Sequence, residues 1–206
     1  MVKISSGSPD LDSFVKYEDF NIIYGPAGSG KTTLCLLASI EQAKNKKKVL
    51  YLDTEDSFPL ERLKQLSKDE NIMDYLIILK SNNFKDQHEK IKILKDLIKN
   101  KKISLIIVDT IGIHYRRLLK HNAELANSML KIQLNILKDL SKEIPVIIAN
   151  QVYSNMNGSF EIVSGNLIRN YPSLLIKLQK DPRKLILENE KKEFRFEIGN
   201  EGIVGR

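Results

Sequence analysis

The run GPAGSGKTT at 25–33 holds the densest chemistry in the chain. Gly25, Gly28 and Gly30 let the backbone fold tightly with its N–H groups turned inward, an anionic nest at a helix start, and Pro26, Ala27 and Ser29 complete the loop. Lys31 reaches toward the β- and γ-phosphates, the Thr32 hydroxyl suits Mg²⁺, and Thr33 stands nearer the α-phosphate. A chance glycine turn would lack the apolar strand FNIIY before it and the apolar helix LCLLASIEQA after it. The pattern therefore predicts ATP and Mg²⁺ as ligands.

Three more polar groups stand where apolar runs stop, the edge at which parallel sheets bind ligands. LIIVD ends in Asp109, followed by Thr110; a carboxylate there holds Mg²⁺ directly or through water, its bland alternative being an aspartate in a turn. KVLYLD runs into Asp53, Thr54 and Glu55, and Glu55 is the candidate to orient or deprotonate an attacking water. In ANQ at 149–151, the amide of Gln151 at the end of a buried strand can report a γ-phosphate to the segment that follows.

These groups need a frame. Apolar strands alternate with amphipathic helices, which predicts an α/β fold with a mostly parallel sheet flanked by helices. Strands are expected at 20–24, 48–53, 75–79, 103–109 and 145–149, and helices at 31–44, 58–69, 85–100 and 122–142. In the last helix Leu125, Met129, Ile132 and Ile136 recur at helical spacing and are expected in the core. After residue 170 the short runs SLLIKLQKD, RKLILEN and EFRFEIGNEG suggest a C-terminal antiparallel meander.

With 206 residues and 42% hydrophobic content, one domain over 1–206 is expected. No run approaches a membrane span and MVKISSGSPD lacks the apolar core of a signal peptide, so the expected location is the cytoplasm, with no membrane partner. The lone Cys35 reads as a buried structural thiol. A net charge of +7 is compatible with nucleic acid but equally with a solvated surface. The clusters Lys44–Lys48 and Lys99–Lys102 fall at helix ends, where cations complement the dipole. His88, His114 and His121 lack metal-site spacing and are expected at the surface.

Taken in order, the phosphate loop, DTE with a following FPLERL, LIIVD and ANQV resemble the RecA-like ATPase core of the RecA/RadA recombinases, most of all a short archaeal paralogue of RadA. SSGSPDLD at 5–12 is similar to that family's entry segment and SGN at 164–166 to the end of its second DNA loop. The resemblance implies a catalytic role for Glu55 beside Lys31, a metal-associated one for Asp109, coupling of γ-phosphate to DNA for Gln151, and packing of Arg62 on the adenine. For Arg62 the alternative is a surface helix arginine.

Departures from the family pattern shape the functional expectation. The chain starts almost directly at the ATPase core, which implies that the family's N-terminal helix-hairpin-helix domain and docking linker are missing, and argues against filaments. The first DNA-loop region, HYRRLLKHNAEL, lacks a glycine-centred arginine loop; Tyr115, Arg116, Arg117 and Lys120 either bind single strands by stacking and phosphate contact or form a solvated helix start. The second loop, 152–164, has no lysine or arginine but offers Tyr153 and Phe160 for stacking, with Arg169 just beyond. What the resemblance implies is an accessory ATPase of DNA repair and recombination, acting on single-stranded DNA and on a RadA-type recombinase or Holliday-junction resolvase. Two alternatives are a DNA-independent regulatory ATPase of the clock-protein type and a nucleotide kinase, the latter opposed by the absence of an arginine-rich lid.

Overall fold

The computed structural model of the chain describes residues 4–154 and 160–206. Its centre is a parallel sheet built from β1 (Phe20–Gly25), β2 (Lys48–Asp53), β3 (Leu76–Lys80), β4 (Ile103–Asp109) and β5 (Val146–Ser154). After the short β6 (Phe160–Ile162) come β7 (Leu174–Gln179), β8 (Lys184–Leu187), β9 (Lys192–Gly199) and β10 (Gly202–Gly205). The strand order is β10-β9-β8-β7-β1-β5-β4-β2-β3, with β6 paired to β5. β7 runs parallel to β1, and the antiparallel extension begins only at β8. The three runs predicted to form a meander after residue 170 are β7, β8 and β9, each antiparallel to the next, and β10 adds a fourth strand.

The helices are α1 (Pro9–Phe14), α2 (Lys31–Lys44), α3 (Leu60–Leu66), α4 (Phe84–Lys101), α5 (Gly112–Leu119), α6 (Ala123–Ser141) and α7 (Gly165–Ile168). Asn83 and Asn122 cap α4 and α6, each accepting a bond at 2.9 Å from a backbone N–H three residues on. The helix expected over 58–69 is cut to seven residues between Pro59 and a following 3₁₀ turn, Glu70–Tyr75. Of the described residues, no helix is long and apolar enough to cross a membrane.

β1 and β4 are buried along their whole length, and β5 from Val146 to Asn150, because both faces are covered there. One face packs on α2, whose Leu34, Cys35, Leu36 and Ala38 are fully buried; the other packs on α4 and α6. On α6 the core stripe is Ala126, Leu130, Leu134 and Leu137, not the predicted one: Leu125 is 47% and Ile132 44% exposed, and Met129 and Ile136 only flank the core. The expectation for His114 is also corrected. It is buried, with Nε2 3.0 Å from the Ser81 carbonyl, which ties α5 to the end of β3.

Candidate nucleotide site and nucleic-acid groove

Sheet register assembles the polar groups. Gly25 lies opposite Gln151 across β1 and β5, Asp109 opposite Ala149 across β4 and β5, and Asp53 opposite Asp109 across β2 and β4. The carboxyl edge therefore holds Asp53 and Asp109 in one row with Ile23 and Ala149, and Gly25 and Gln151 two residues further along β1 and β5, a pair that the chain separates by more than a hundred positions. Gln151 is not at a strand end as predicted; β5 continues to Ser154 because β6 pairs with it there.

The phosphate loop is shaped by close approach. A Cβ at Gly25 would sit 2.5 Å from the Leu178 carbonyl oxygen, and Gly30, the N-cap of α2, has φ +109°, a value L-residues rarely adopt. Lys31 Nζ donates to the carbonyls of Gly25 at 2.8 Å and Pro26 at 2.9 Å, and makes no ion pair with a described residue. Burial pulls its pKa down, while Asp109 and Glu55 push it up. The Ser29 hydroxyl is buried without a hydrogen-bond partner among the described residues. A desolvated cation, an orphaned hydroxyl and a loop with no room for a side chain at Gly25 fit a phosphate chain.

Asp109 is buried, and its Oδ2 accepts from Thr32 Oγ1 at 2.8 Å and Tyr51 OH at 2.6 Å. Burial raises its pKa, and those two bonds hold it down in part. Thr32 and Asp109 line a cavity of about 230 Å³ with Tyr51, Asp53, Glu55 and Ser57. The pair of a hydroxyl and a carboxylate, both hard oxygen donors, suits Mg²⁺. Asp53 acts on the backbone instead. Its carboxylate accepts from the N–H of Glu55 at 3.0 Å and of Ser57 at 2.9 Å, fixing the turn that carries Glu55. Glu55 Oε1 in turn accepts from Gln151 Nε2 at 2.7 Å and Thr110 Oγ1 at 3.3 Å.

Arg62 lies half-buried against the β9–β10 turn, donating to the Gly199 carbonyl at 2.7 Å. Sequence reasoning missed two contacts around the site. Arg183 Nη1 donates to the Gly28 carbonyl at 2.8 Å across 155 residues, so no local pattern could have signalled it. Asn150, fully buried, donates to the Val163 carbonyl and accepts from the Gln151 N–H, both at 2.9 Å, which fixes the backbone of Gln151 to the far side of the second loop. That one could have been suspected from a polar residue inside an apolar strand.

Beyond Gln151 the surface turns cationic. Arg116, Arg117, Lys120 and His121 surround a depression of about 420 Å³ that Gln151 also lines. Next to it a groove of about 940 Å³ is walled by Arg116, Lys120, Tyr153, Phe160 and Arg169. Tyr153 and Phe160 are 40% and 57% exposed. Tyr115 is corrected: its ring is buried edge-on to Phe84, its hydroxyl donates to Asn127 at 2.7 Å, and no ring face is left for a base. The region expected as a first DNA loop is the helix α5, held in the core by Tyr115 and His114. Of the second loop, residues 155–159 lie outside the described residues.

A phosphate loop feeding from β1, a carboxylate pair on neighbouring strands and a glutamine across from the loop define a RecA-like ATPase architecture. The profile of the Rad51 family matches residues 1–181, and the chain belongs to that family. Within it, the chain is similar to proteins named DNA repair and recombination protein RadB. One from Methanococcus maripaludis (strain C5) is 35% identical, with 94% of each chain covered. Those from Methanocaldococcus jannaschii and Methanosphaera stadtmanae are 36% and 29% identical, over 88% of this chain and 90% and 85% of theirs.

Proposed function

We propose that this chain is an ATP-binding accessory protein of homologous recombination and DNA repair, working in the cytoplasm as one ATPase domain. It binds ATP with Mg²⁺, hydrolyses it slowly, contacts single-stranded DNA, and modulates a RadA-type recombinase or a Holliday-junction resolvase. The observation that carries this reading is the position of Gln151. Its amide is bonded to Glu55 on the nucleotide side and lines the depression of Arg116, Arg117 and Lys120 on the other.

In this reading the N–H groups of 25–33 and the Lys31 ammonium bind the phosphates, with Arg183 steadying the loop from outside through Gly28. Thr32 and Asp109 hold Mg²⁺, which supplies charge neutralisation on the phosphate oxygens. Glu55, set by the Asp53 turn, orients water and takes its proton. Gln151 trades its bond to Glu55 for the γ-phosphate, and its backbone, tied through Asn150 to Val163, carries the change to the groove.

An assisting role is favoured over strand exchange by the make-up of the two loop regions. The first-loop region is folded into α5, and 152–164 contains no lysine or arginine. The name shared by the relatives places those proteins in repair and recombination. Filter binding of single-stranded DNA across salt concentrations tests the DNA part: affinity that falls with salt is expected. No retention even at low salt would contradict it.

A further inference from the structure

Arg169 follows α7 and reaches the 940 Å³ groove, yet it is not free there. Its Nη1 lies 2.5 Å from Glu188 Oε2, and its guanidinium sits 5.6 Å from the centre of the Tyr24 ring. The other Glu188 oxygen accepts from the Tyr24 hydroxyl. Glu188 is held further by its own N–H, which donates to the Leu175 carbonyl at 3.1 Å. Its side chain is 24% exposed against 46% for Arg169. The acid is thus the fixed member of the pair and the arginine the reachable one. On the same groove Arg116 and Lys120 make no ion pair with any described residue, so one cation of three is masked.

We propose that Glu188 is a built-in competitor for nucleic-acid phosphate at Arg169, so that the pair sets how tightly the groove holds a single strand. This rests on the reading that the groove binds DNA. A pair at this exposure is weak enough for a phosphate to exchange with the carboxylate. The Tyr24 hydroxyl keeps Glu188 aimed at Arg169 and so keeps the competition in force when no strand is present. The neighbouring acid Glu190 pairs with Lys192 instead of with a cation of the groove.

The test is filter binding of a single-stranded oligonucleotide to the full chain across salt, comparing wild type, Glu188→Gln and Glu190→Gln. Glu188→Gln is expected to bind about three- to tenfold tighter at low salt, with a log–log salt slope steeper by about 0.7, one further phosphate contact. Glu190→Gln, with the same change in net charge, is expected to match wild type. Adding Arg169→Gln to Glu188→Gln should abolish the gain. Tyr24→Phe, which keeps the ring and removes the hydroxyl that aims Glu188, should tighten binding by a smaller factor and decides the matter if Glu188→Gln does not fold. Wild-type binding with Glu188→Gln or, failing that, Tyr24→Phe unmoved overturns this proposal alone, as does equal tightening by Glu190→Gln. No binding by wild type or any variant at low salt overturns both this and the DNA reading.

Discussion

Gln151 Nε2 donates to Glu55 Oε1 at 2.7 Å, joining the middle of β5 to the turn after β2 across 96 residues of sequence. The bond has two consequences. It holds the carboxylate proposed to orient water, and it makes that carboxylate sensitive to whatever else Gln151 contacts. An amide that reports γ-phosphate has to leave a partner in order to do so, and Glu55 is that partner.

Removing the amide should separate binding from signalling. Gln151→Ala is expected to keep its ATP affinity within about threefold, since phosphate binding rests on the loop, while losing any change in turnover on adding single-stranded DNA. Isothermal titration with ATP and a turnover assay with and without an oligonucleotide read the two quantities. A DNA response in Gln151→Ala equal to wild type would remove the glutamine from the coupling.

Ligand linkage gives a second prediction. At Mg²⁺ and ATP near 100 times the dissociation constant, the native state gains about 2.7 kcal/mol. For a chain of this size that is a rise in Tm of about 5–10 °C. Lys31→Ala should show no rise, and chelating Mg²⁺ should remove most of it from the wild type. Differential scanning fluorimetry measures this, and an undiminished shift in Lys31→Ala would sink the assignment of Lys31.

The aromatic residues of the groove divide by burial. Phe160 and Tyr153 expose ring surface, and replacing either with alanine should cost about 1–3 kcal/mol of single-strand affinity. Tyr115→Phe removes only a hydroxyl bonded to Asn127 and should leave that affinity unchanged. Fluorescence anisotropy with a labelled oligonucleotide distinguishes them; a loss confined to Tyr115→Phe would reverse the picture.

How much of this was legible follows from what fixes each feature. The phosphate loop is readable because backbone geometry around phosphate dictates glycine, lysine and hydroxyl at set spacing. Asp109 and Glu55 were readable because each ends or follows an apolar run whose length marks a buried strand. The core face of α6 was not. Leu125, Met129, Ile132, Ile136 and the adjacent Ala126, Leu130, Leu134, Leu137 both recur at helical spacing, and only the tilt of the helix on the sheet chooses between them. Likewise nothing in HYRR tells whether Tyr115 faces solvent or Phe84. The bonds of Arg183 to Gly28 and of Glu188 to Tyr24 join segments more than 150 residues apart, beyond any local pattern.

The central claim, an ATPase site in which Glu55 acts on water, is tested most directly by ATP turnover of wild type beside Lys31→Ala and Glu55→Gln, with and without single-stranded DNA. The account predicts slow turnover by the wild type, no nucleotide binding by Lys31→Ala, and retained binding with turnover lost in Glu55→Gln. Equal turnover by wild type and Glu55→Gln would contradict it.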